Sequence, residues 1–179
     1  TLLEQNARLG KKLLITGKGR CNVTNDCVWQ DVLQSVPTNP RFLYSALAGF
    51  SPADAKKFFE DYGCALKTER GNRVFPVSDR SQSVLDALER FLCAYHVRIL
   101  PRKAAEIAVS DGRVTGVKTA EGPVPADCVI LATGGLSYPA TGSTGSGYAM
   151  AQALGHTIIE PTGSLVPLVE KGHDCAKMQ

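Results

Sequence analysis

Two segments in the middle of the chain place apolar residues at helical spacing between recognisable helix ends. The first opens at Ser51-Pro52-Ala53-Asp54, which supplies a capping side chain, a proline at the first helical position and an early acidic residue, and it stops at Gly63. The second runs from about residue 81 to residue 95. The apolar positions are Ala55, Phe58, Phe59 and Tyr62 in the first segment, and Val84, Leu85, Leu88, Phe91, Leu92 and Tyr95 in the second. The pattern predicts two amphipathic helices whose aromatic residues lie in the core.

Shorter apolar runs, separated by turn residues, predict strands. Residues 65–69 and 73–76 flank a turn and indicate a β-hairpin, and a short strand follows at residues 97–100. Residues 104–109 and 114–118 surround an Asp-Gly turn, as in an antiparallel meander. Val129-Ile130-Leu131-Ala132 is apolar throughout, which is typical of a buried parallel strand, and an apolar helix is expected to run through Leu154. Strands mixed with helices in this way predict an α/β protein.

The residues best suited to binding follow an apolar segment near the start of the chain. Leu13-Leu14-Ile15 has the character of a strand, and the next ten residues, Thr16 to Asn25, contain two glycines and the cations Lys18 and Arg20. Glycines let a backbone approach an anion closely, and the two cations supply charge. The side chains suited to hydrogen-bonding phosphate or sugar oxygens are Asn22, Thr24 and Asn25. We interpret the segment as an anion-binding loop, with a basic surface turn as the alternative.

A second glycine cluster lies in the last third of the chain. The predicted strand at residues 129–132 leads into Thr133-Gly134-Gly135, and residues 141–147 carry three further glycines before the last apolar helix. Strand ends and helix N-termini are where open α/β sheets bind phosphorylated cofactors. Near the N-terminus, Glu4 ends a strand-like run, where an acidic residue in a dinucleotide-binding unit hydrogen-bonds the ribose hydroxyls. Together these features predict a nucleotide cofactor site.

Three stretches of the chain carry a resemblance to a known family: residues 9–25, residues 74–79 and residues 132–145. They closely resemble the YhiN/BaiN-like FAD-dependent oxidoreductases, and the similarity spans nearly the whole chain. The resemblance implies an α/β fold, a partial FAD-binding Rossmann-like domain with a β-meander and an inserted helix and hairpin segment. Some members are aminoacetone oxidase-like proteins and one is linked to reductive bile-acid chemistry, so the resemblance implies a flavoprotein more firmly than a substrate.

The resemblance implies a function and a set of cofactor contacts. The expected function is flavin-mediated hydride transfer to a small organic substrate, with FAD bound non-covalently and NAD(P)H as the candidate electron donor. A flavin- or nucleotide-binding module without turnover is the alternative from a different class. Ala104 is included because, in relatives, a backbone group at this motif position contacts the adenine. The residues expected at the cofactor are Glu4, Lys12, Thr16, Gly17, Gly19, Arg20, Cys21, Asn22, Thr24, Asn25, Ala104, Ala132, Thr133, Gly134, Gly135, Thr141, Gly142 and Gly145; no catalytic residue or metal ligand is assigned.

The resemblance also divides the chain into parts. Residues 1–25 and 97–160 are expected to belong to the FAD-binding part, residues 26–96 to an inserted helical and hairpin segment, and residues 161–179 to the start of a second domain. The chain contains no G-x-G-x-x-G sequence, and family members continue well past the position of Val169. We therefore expect a truncated protein that lacks the first strand, the pyrophosphate-binding glycine turn and the first helix of the Rossmann unit.

Composition narrows the classes of partner. The chain is 44% hydrophobic and 21% charged, and no apolar run approaches the roughly 18 residues of a membrane span. Its net charge of +3, from 20 basic and 17 acidic residues, indicates no general affinity for nucleic acid or membranes. A basic RNA-binding domain is a third and weaker interpretation, because the basic residues are not interleaved with exposed aromatic ones. A small-molecule substrate is therefore expected, with the oligomeric state left open.

The six cysteines and the histidines suggest no further chemistry. Without a C-x-x-C pair, the cysteines favour free thiols in a reducing compartment, so a cytoplasmic location is expected. Cys21 and Cys27 have five intervening residues, a spacing that departs from the redox pairs of flavoprotein reductases, and Cys21 is interpreted as a small loop residue near the cofactor. His96 and His156 lie at predicted helix ends, where a structural role is expected.

Overall fold

The computed structural model of the chain describes residues 1–163, so most of the predicted second domain at residues 161–179 lies outside the described residues. Short 3-10 segments cover Leu13–Gly19, Pro40–Leu43 and Pro139–Thr141. The α-helices are α1 (Trp29–Gln34), α2 (Tyr44–Gly49), α3 (Pro52–Asp61), α4 (Ser81–Ala94) and α5 (Ser146–Ala153). The strands are β1 (Leu2–Leu3), β2 (Thr24–Asn25), β3 (Leu66–Glu69), β4 (Arg73–Pro76), β5 (Ile99–Leu100), β6 (Ala104–Ser110), β7 (Arg113–Thr119) and β8 (Val124–Pro125). None of the α-helices in this part of the chain combines the length and the apolar character that spanning a bilayer requires.

A short parallel pair joins the start of the chain to its middle. β1 lies beside β5, with Leu2 opposite Ile99 and Leu3 opposite Leu100. The amide of Glu4 donates to the carbonyl of Leu100 at 3.0 Å, which extends the ladder by one residue and places the carboxylate at the carboxyl end of β1. The strand predicted before Glu4 and the strand predicted near residues 97–100 are both confirmed, and their parallel pairing is the arrangement of a Rossmann-type sheet.

The inserted segment is organised around α3, α4 and a small antiparallel sheet in the order β2-β4-β3. Helix α3 begins as predicted, because the Ser51 side chain accepts from the Asp54 amide while the Asp54 carboxylate accepts from the Ser51 amide. The predicted hairpin is also confirmed as β3 and β4, and β2 adds a third strand to it. The side chains buried most completely in this part, Val74, Val84, Cys64 and Ala87, lie where α4 covers the sheet and the turn before it.

The predicted meander is present as a second antiparallel sheet in the order β6-β7-β8. Asp111 and Gly112 form the tight turn between its first two strands, both with positive φ. The helix predicted after the second glycine cluster is α5, which packs against β6. The buried apolar side chains of this part are Ile107, Val117, Val124 and Met150. Residues 1–163 therefore contain two small cores, one between α4 and the β2-β4-β3 sheet and one beneath the meander.

The prediction of a strand at Leu13-Leu14-Ile15 is wrong. This segment opens the 3-10 stretch at Leu13–Gly19, in which the Leu14 amide donates to the Gly10 carbonyl at 2.9 Å. The side chain of Ser81, in the first turn of α4, donates to the Leu14 carbonyl at 2.9 Å, and Leu13 packs against the core beside Val84. Leu13 and Leu14 are therefore half-buried beside a helix, while Ile15 is 50% exposed, and three residues are too few for their spacing to distinguish this arrangement from a strand.

The strand predicted at Val129–Ala132 is also not formed. These residues are extended without ladder hydrogen bonds, because no strand among residues 1–163 lies beside them. Ile130 is 93% exposed, so the apolar run is not buried as the pattern predicted. The aromatic residues of α3 and α4 behave mostly as expected, since Phe58 and Tyr62 both contact the ring of Phe91, whereas Tyr95 is 65% exposed.

Candidate functional site

The first glycine-rich loop has an unusual backbone. Gly17 and Lys18 adopt left-handed conformations at φ 54° and 57°, and Gly19 and Cys21 also have positive φ. The loop closes on itself, because the Cys21 amide donates to the Thr16 carbonyl at 3.1 Å and the Arg20 amide donates to the Gly17 carbonyl at 3.2 Å. Positive φ is costly for residues other than glycine, so the surrounding contacts must hold Lys18 and Cys21 in place.

The two glycines of this loop serve different purposes. A methyl group added at Gly17 would lie 3.1 Å from the Asn22 backbone nitrogen and 3.4 Å from Cε1 of Phe75, so glycine is needed there for packing against the protein. A methyl group added at Gly19 would meet no atom within 4 Å. Gly19 therefore faces open space, and close approach of a ligand to the loop is possible on that side.

Arg20 is held by the protein itself. Its guanidinium donates to Glu69 at 2.5 Å and to Asp79 at 2.8 Å, and it lies 4.1 Å from the centre of the Phe75 ring. Lys67 pairs with the same two carboxylates, at 2.7 Å to Asp79 and 3.3 Å to Glu69. We call these four charged residues the Arg20 cluster. A bound anion would meet a guanidinium whose charge is already compensated, so the cofactor contact predicted for Arg20 remains a prediction.

The Arg20 cluster leads to a prediction about acid stability. Hydrogen bonds from Lys67 and Arg20 lower the pKa of Asp79, and a hydrogen bond from Arg20 lowers the pKa of Glu69. A carboxylate with a lowered pKa stabilises the fold above its ordinary value, and this contribution is lost as the pH falls through the pKa of the folded state. The contribution of the cluster to the urea midpoint should therefore stay constant from pH 7 to about 5, and should decrease below about pH 4.

A double variant, Glu69→Gln with Asp79→Asn, separates this effect from the rest of the protein. It should begin with a lower urea midpoint at pH 7 and lose less of it on acidification than the wild type does. Equal acid losses in the two proteins would show that other carboxylates, such as the Asp26 carboxylate whose pKa is lowered by hydrogen bonds from Lys56 and Thr68, account for the acid sensitivity.

The second glycine-rich loop is tied to the start of the chain by Lys12. The Lys12 ammonium donates to the carbonyl of Ser137 at 3.1 Å, to the hydroxyl of Ser137 at 2.8 Å and to the hydroxyl of Ser143 at 3.4 Å. The side chain of Gln5 donates to the Gly142 carbonyl at 2.9 Å, and that of Asn6 donates to the Thr141 carbonyl at 3.1 Å. The structure therefore brings residues 4–12 and the predicted cofactor loop at residues 141–145 together.

Glu4 retains one carboxylate oxygen for a ligand. Its Oε1 accepts from the backbone amide of Asn6 at 2.7 Å and from the Asn6 side chain at 2.8 Å. Within residues 1–163, Oε2 of Glu4 has no hydrogen-bond donor, and the residue is half-buried at the end of β1. A carboxylate oriented in this way, with one oxygen available, is suited to accept hydrogen bonds from the hydroxyl groups of a sugar.

Several other predicted residues direct their polar groups into the protein. The side-chain amide of Asn22 lies 3.2 Å from the Val74 carbonyl and 3.0 Å from the Thr24 carbonyl, in the orientation in which its nitrogen donates. The Asn25 side chain donates to the Gly71 carbonyl at 3.1 Å, and the Thr16 hydroxyl donates to the Leu13 carbonyl at 2.6 Å. These side chains stabilise the loop, so any ligand contact from this stretch would depend largely on its backbone.

The remaining predicted residues lie in two places. Ala104 begins β6 at the edge of an open groove between the meander and α5. Thr133 and Gly134 lie against α5 and the loop before it. A methyl group at Gly147 would collide with the Thr133 hydroxyl, and one at Gly134 would lie 2.8 Å from the Ser143 hydroxyl.

The residues around the second loop are joined by the backbone. The Gly135 carbonyl accepts from the Gly145 amide at 3.0 Å, and Ala132 is exposed. Gly135, Thr141, Gly142 and Gly145 thus form one connected loop.

Several residues that build the site were not predicted from the sequence. Gln5, Asn6, Ser137 and Ser143 join the second loop to the start of the chain, and Glu69 and Asp79 hold Arg20. Ser137 and Ser143 lie within the polar, glycine-rich run, which was the available signal. Cys21 is buried beside Cys64, whose thiol pKa is raised by burial, and both Cys21 and Cys27 are free. Cys21 is therefore a packed free thiol in this structure, and its interpretation as a small loop residue near the cofactor stays a prediction.

The fold and the loops define a class of protein, a Rossmann-like α/β domain in which a glycine-rich loop lies beside the carboxyl end of β1. The family described as "HI0933-like protein Rossmann domain" matches residues 1–171, and the chain belongs to this family of flavoprotein oxidoreductases. The resemblance to the YhiN/BaiN-like flavoproteins is thereby confirmed.

Curated relatives of known activity match most of this chain. It is 37% identical to the 3-dehydro-bile acid delta(4,6)-reductase of Clostridium scindens over 98% of its own length and 42% of that protein. It is 29% identical to the ribosomal RNA dihydrouridine synthase of Haemophilus influenzae, over 97% of this chain and 44% of the relative. The Escherichia coli protein of the same name is also 29% identical, over 93% and 41%. The chain thus spans about two fifths of the length of these relatives.

Proposed function

We propose that this chain contributes part of the FAD site of an oxidoreductase that adds a hydride to a carbon–carbon double bond conjugated with a carbonyl group. The observation that supports this most directly is the contact between the carboxyl end of β1, where Glu4 lies, and the second glycine-rich loop, made by Gln5, Asn6 and Lys12. In Rossmann-type sheets this end of the strands is where dinucleotides bind. When bound, FAD would supply the hydride-transfer chemistry.

The residues present fit such a cofactor. Oε2 of Glu4 is available to accept ribose hydroxyls, and Gly19 leaves open space beside the backbone of the first loop. Two cations, Lys12 and Lys18, lie on the segment that leads into and forms this loop, which suits a pyrophosphate. The role of the protein in this proposal is to bind and orient the dinucleotide, and no side chain of the chain is assigned to move a proton.

The names of the relatives suggest the reaction. A delta(4,6)-reductase and a dihydrouridine synthase both saturate a carbon–carbon double bond, one in a steroid and the other in a pyrimidine ring. The higher identity to the bile acid reductase supports a small conjugated ketone as the substrate. NAD(P)H as the electron donor and a cytoplasmic location are part of the proposal and rest on the sequence expectations alone. A flavin-binding module without turnover is the alternative, and reduction of the bound flavin by NAD(P)H separates it from an enzyme.

A second candidate substrate is a base in structured RNA. The inserted segment exposes Phe42, Tyr44 and Phe50, at 80%, 56% and 54%, and Arg41 beside them is also exposed. Exposed aromatic rings next to an arginine can stack on unpaired bases. RNA binding was the weaker interpretation of the sequence, because the basic residues are not interleaved with exposed aromatic ones. In the structure, this surface places an exposed arginine beside three exposed aromatic residues. Weakened binding of an RNA hairpin by Phe42→Ala, with FAD affinity unchanged, would favour this substrate.

FAD titration of the chain tests the main proposal. We expect quenched flavin fluorescence and yellow protein after desalting, with Glu4→Ala weakening the affinity about tenfold or more, since it removes an acceptor of charge-assisted hydrogen bonds. Glu121→Ala, which removes an exposed carboxylate in the turn after β7, is the matched control and should bind like the wild type. Loss of the visible flavin absorbance on anaerobic addition of NAD(P)H would distinguish an enzyme from a binding module, and failure to retain FAD would contradict the proposal.

A further inference from the structure

We propose that Lys18 provides the charge that binds the pyrophosphate of the dinucleotide at the first glycine-rich loop, and that Arg20 is a positioning residue that holds this loop in place. This inference rests on the proposed function, because it assigns a role within the same site. It departs from the expectation from the resemblance, which placed Arg20 among the residues at the cofactor and did not include Lys18.

The three cations around the loop differ in what they already contact. The Arg20 guanidinium donates to two carboxylates and lies over the Phe75 ring, so its hydrogen-bonding directions face the hairpin. The Lys12 ammonium is surrounded by three oxygens of Ser137 and Ser143. Within residues 1–163, the Lys18 side chain makes no hydrogen bond or ion pair and is exposed. Of these three cations, Lys18 has its full hydrogen-bonding capacity available for an anion.

The backbone at Lys18 is strained. Its φ of 57° and ψ of 39° lie in the left-handed region, which costs a residue with a side chain roughly 1–2 kcal/mol. Glycine would avoid this cost, and glycines occupy both neighbouring positions. A strained lysine at the tip of a loop that the Arg20 cluster and Phe75 hold rigid indicates that the side chain itself is used. The open space beside Gly19 is where the phosphates would approach.

The shape of the loop suits a compact oxyanion. Left-handed residues within a turn are a backbone conformation found at anion-binding concavities, and here they carry an exposed ammonium group. A pyrophosphate linkage is a compact oxyanion of the kind such a turn binds, and Glu4 is the proposed acceptor for the ribose of the same cofactor. Free phosphate and a substrate carboxylate share the same oxyanion chemistry, so the test includes a probe without the flavin and the nucleoside.

The experiment compares Lys18→Ala, Lys18→Gly and Lys18→Arg with the matched control Lys11→Ala in the full chain, using calorimetric titration with FAD and with inorganic pyrophosphate. Lys11 is also exposed and makes no side-chain hydrogen bond within residues 1–163, so its removal changes the net charge equally. We expect Lys18→Ala and Lys18→Gly to weaken both ligands about tenfold, the size of one charge-assisted hydrogen bond. Lys18→Arg should retain most of the affinity, and Lys11→Ala should have no effect.

For Lys18→Gly, stability and pyrophosphate affinity should change in opposite directions, which a lysine with only a structural role would not produce. Lys18→Gly removes the backbone strain, so its urea midpoint should rise above that of the wild type while its pyrophosphate affinity falls. Equal affinities in wild type and Lys18 variants would overturn the inference, as would an equal loss in Lys11→Ala or failure of the wild type to bind pyrophosphate. Lys18-dependent binding of pyrophosphate without binding of FAD would support the inference and contradict the proposed function.

Discussion

Replacing Phe75 by alanine is expected to lower the free energy of unfolding by about 3–5 kcal/mol, the range for deletion of a buried aromatic ring. Phe75 is only 4% exposed and lies in β4, the central strand of the small antiparallel sheet. Its ring forms the floor of the first glycine-rich loop, with Gly17 above one edge and the Arg20 guanidinium 4.1 Å from its centre. The substitution should therefore weaken both the fold and the loop.

Urea denaturation measures the loss of stability, and limited trypsin digestion measures the loosening of the loop. Trypsin cleaves after lysine and arginine, so Lys18 and Arg20 report directly on whether the loop is held. Phe42→Ala removes the same side chain at a position that is 80% exposed, and it should change neither the midpoint nor the cleavage rate at the loop. A Phe75→Ala protein that is destabilised but cleaved at the wild-type rate would show that the loop does not depend on this ring.

The elements that the sequence predicts correctly are those with local signals. Helix α3 has its capping residues Ser51 and Asp54 within four positions, and the turn between β6 and β7 is signalled by the adjacent pair Asp111 and Gly112. Such contacts depend on neighbours in sequence, so their patterns are visible without knowledge of the fold. The meander, the hairpin and the two longer helices all follow from signals of this kind.

The strand predictions that are wrong concern residues whose environment is set far away in sequence. Leu13 and Leu14 are half-buried near α4, which follows about 70 residues later, and their apolar character does not identify this neighbour. Residues 129–132 have a strand-like composition, but a strand also needs a neighbour to accept its hydrogen bonds, and none among residues 1–163 does. In neither segment does composition identify the element that the residues would pack against.

The candidate site shows the same division. The glycine loops and Glu4 were predicted from residue type and position in the chain, and Lys12 was predicted from the family resemblance. That Lys12 bonds Ser137 and Ser143, more than 120 residues away, could not be predicted, because a long-range hydrogen bond has no local signature. The ion pairs of Arg20 with Glu69 and Asp79, which are 49 and 59 residues distant, could not be predicted for the same reason. A cation beside glycines suggests a bound anion until its carboxylate partners are located.

Gly116→Ala is expected to destabilise the meander by about 2–4 kcal/mol, through overpacking combined with backbone strain. Gly116 lies in β7, opposite Ala108 on one side and Pro125 on the other, and its φ is 149°. An added methyl group would collide with the Val124 carbonyl and lie 2.9 Å from Cα of Pro125. These are backbone atoms of β8, which cannot turn aside as a flexible side chain can.

Gly112→Ala measures the backbone strain without the overpacking. Gly112 also has a positive φ, of 75°, but a methyl group there would meet no atom within 4 Å. Its replacement should therefore cost only the conformational strain, about 1 kcal/mol, and the difference between the two variants measures the close approach of β8 to β7. Urea midpoints provide the comparison, and hydrogen exchange at the β7–β8 ladder should increase in Gly116→Ala alone. Equal destabilisation by the two substitutions would mean that β8 moves away without cost and that strain is the entire effect.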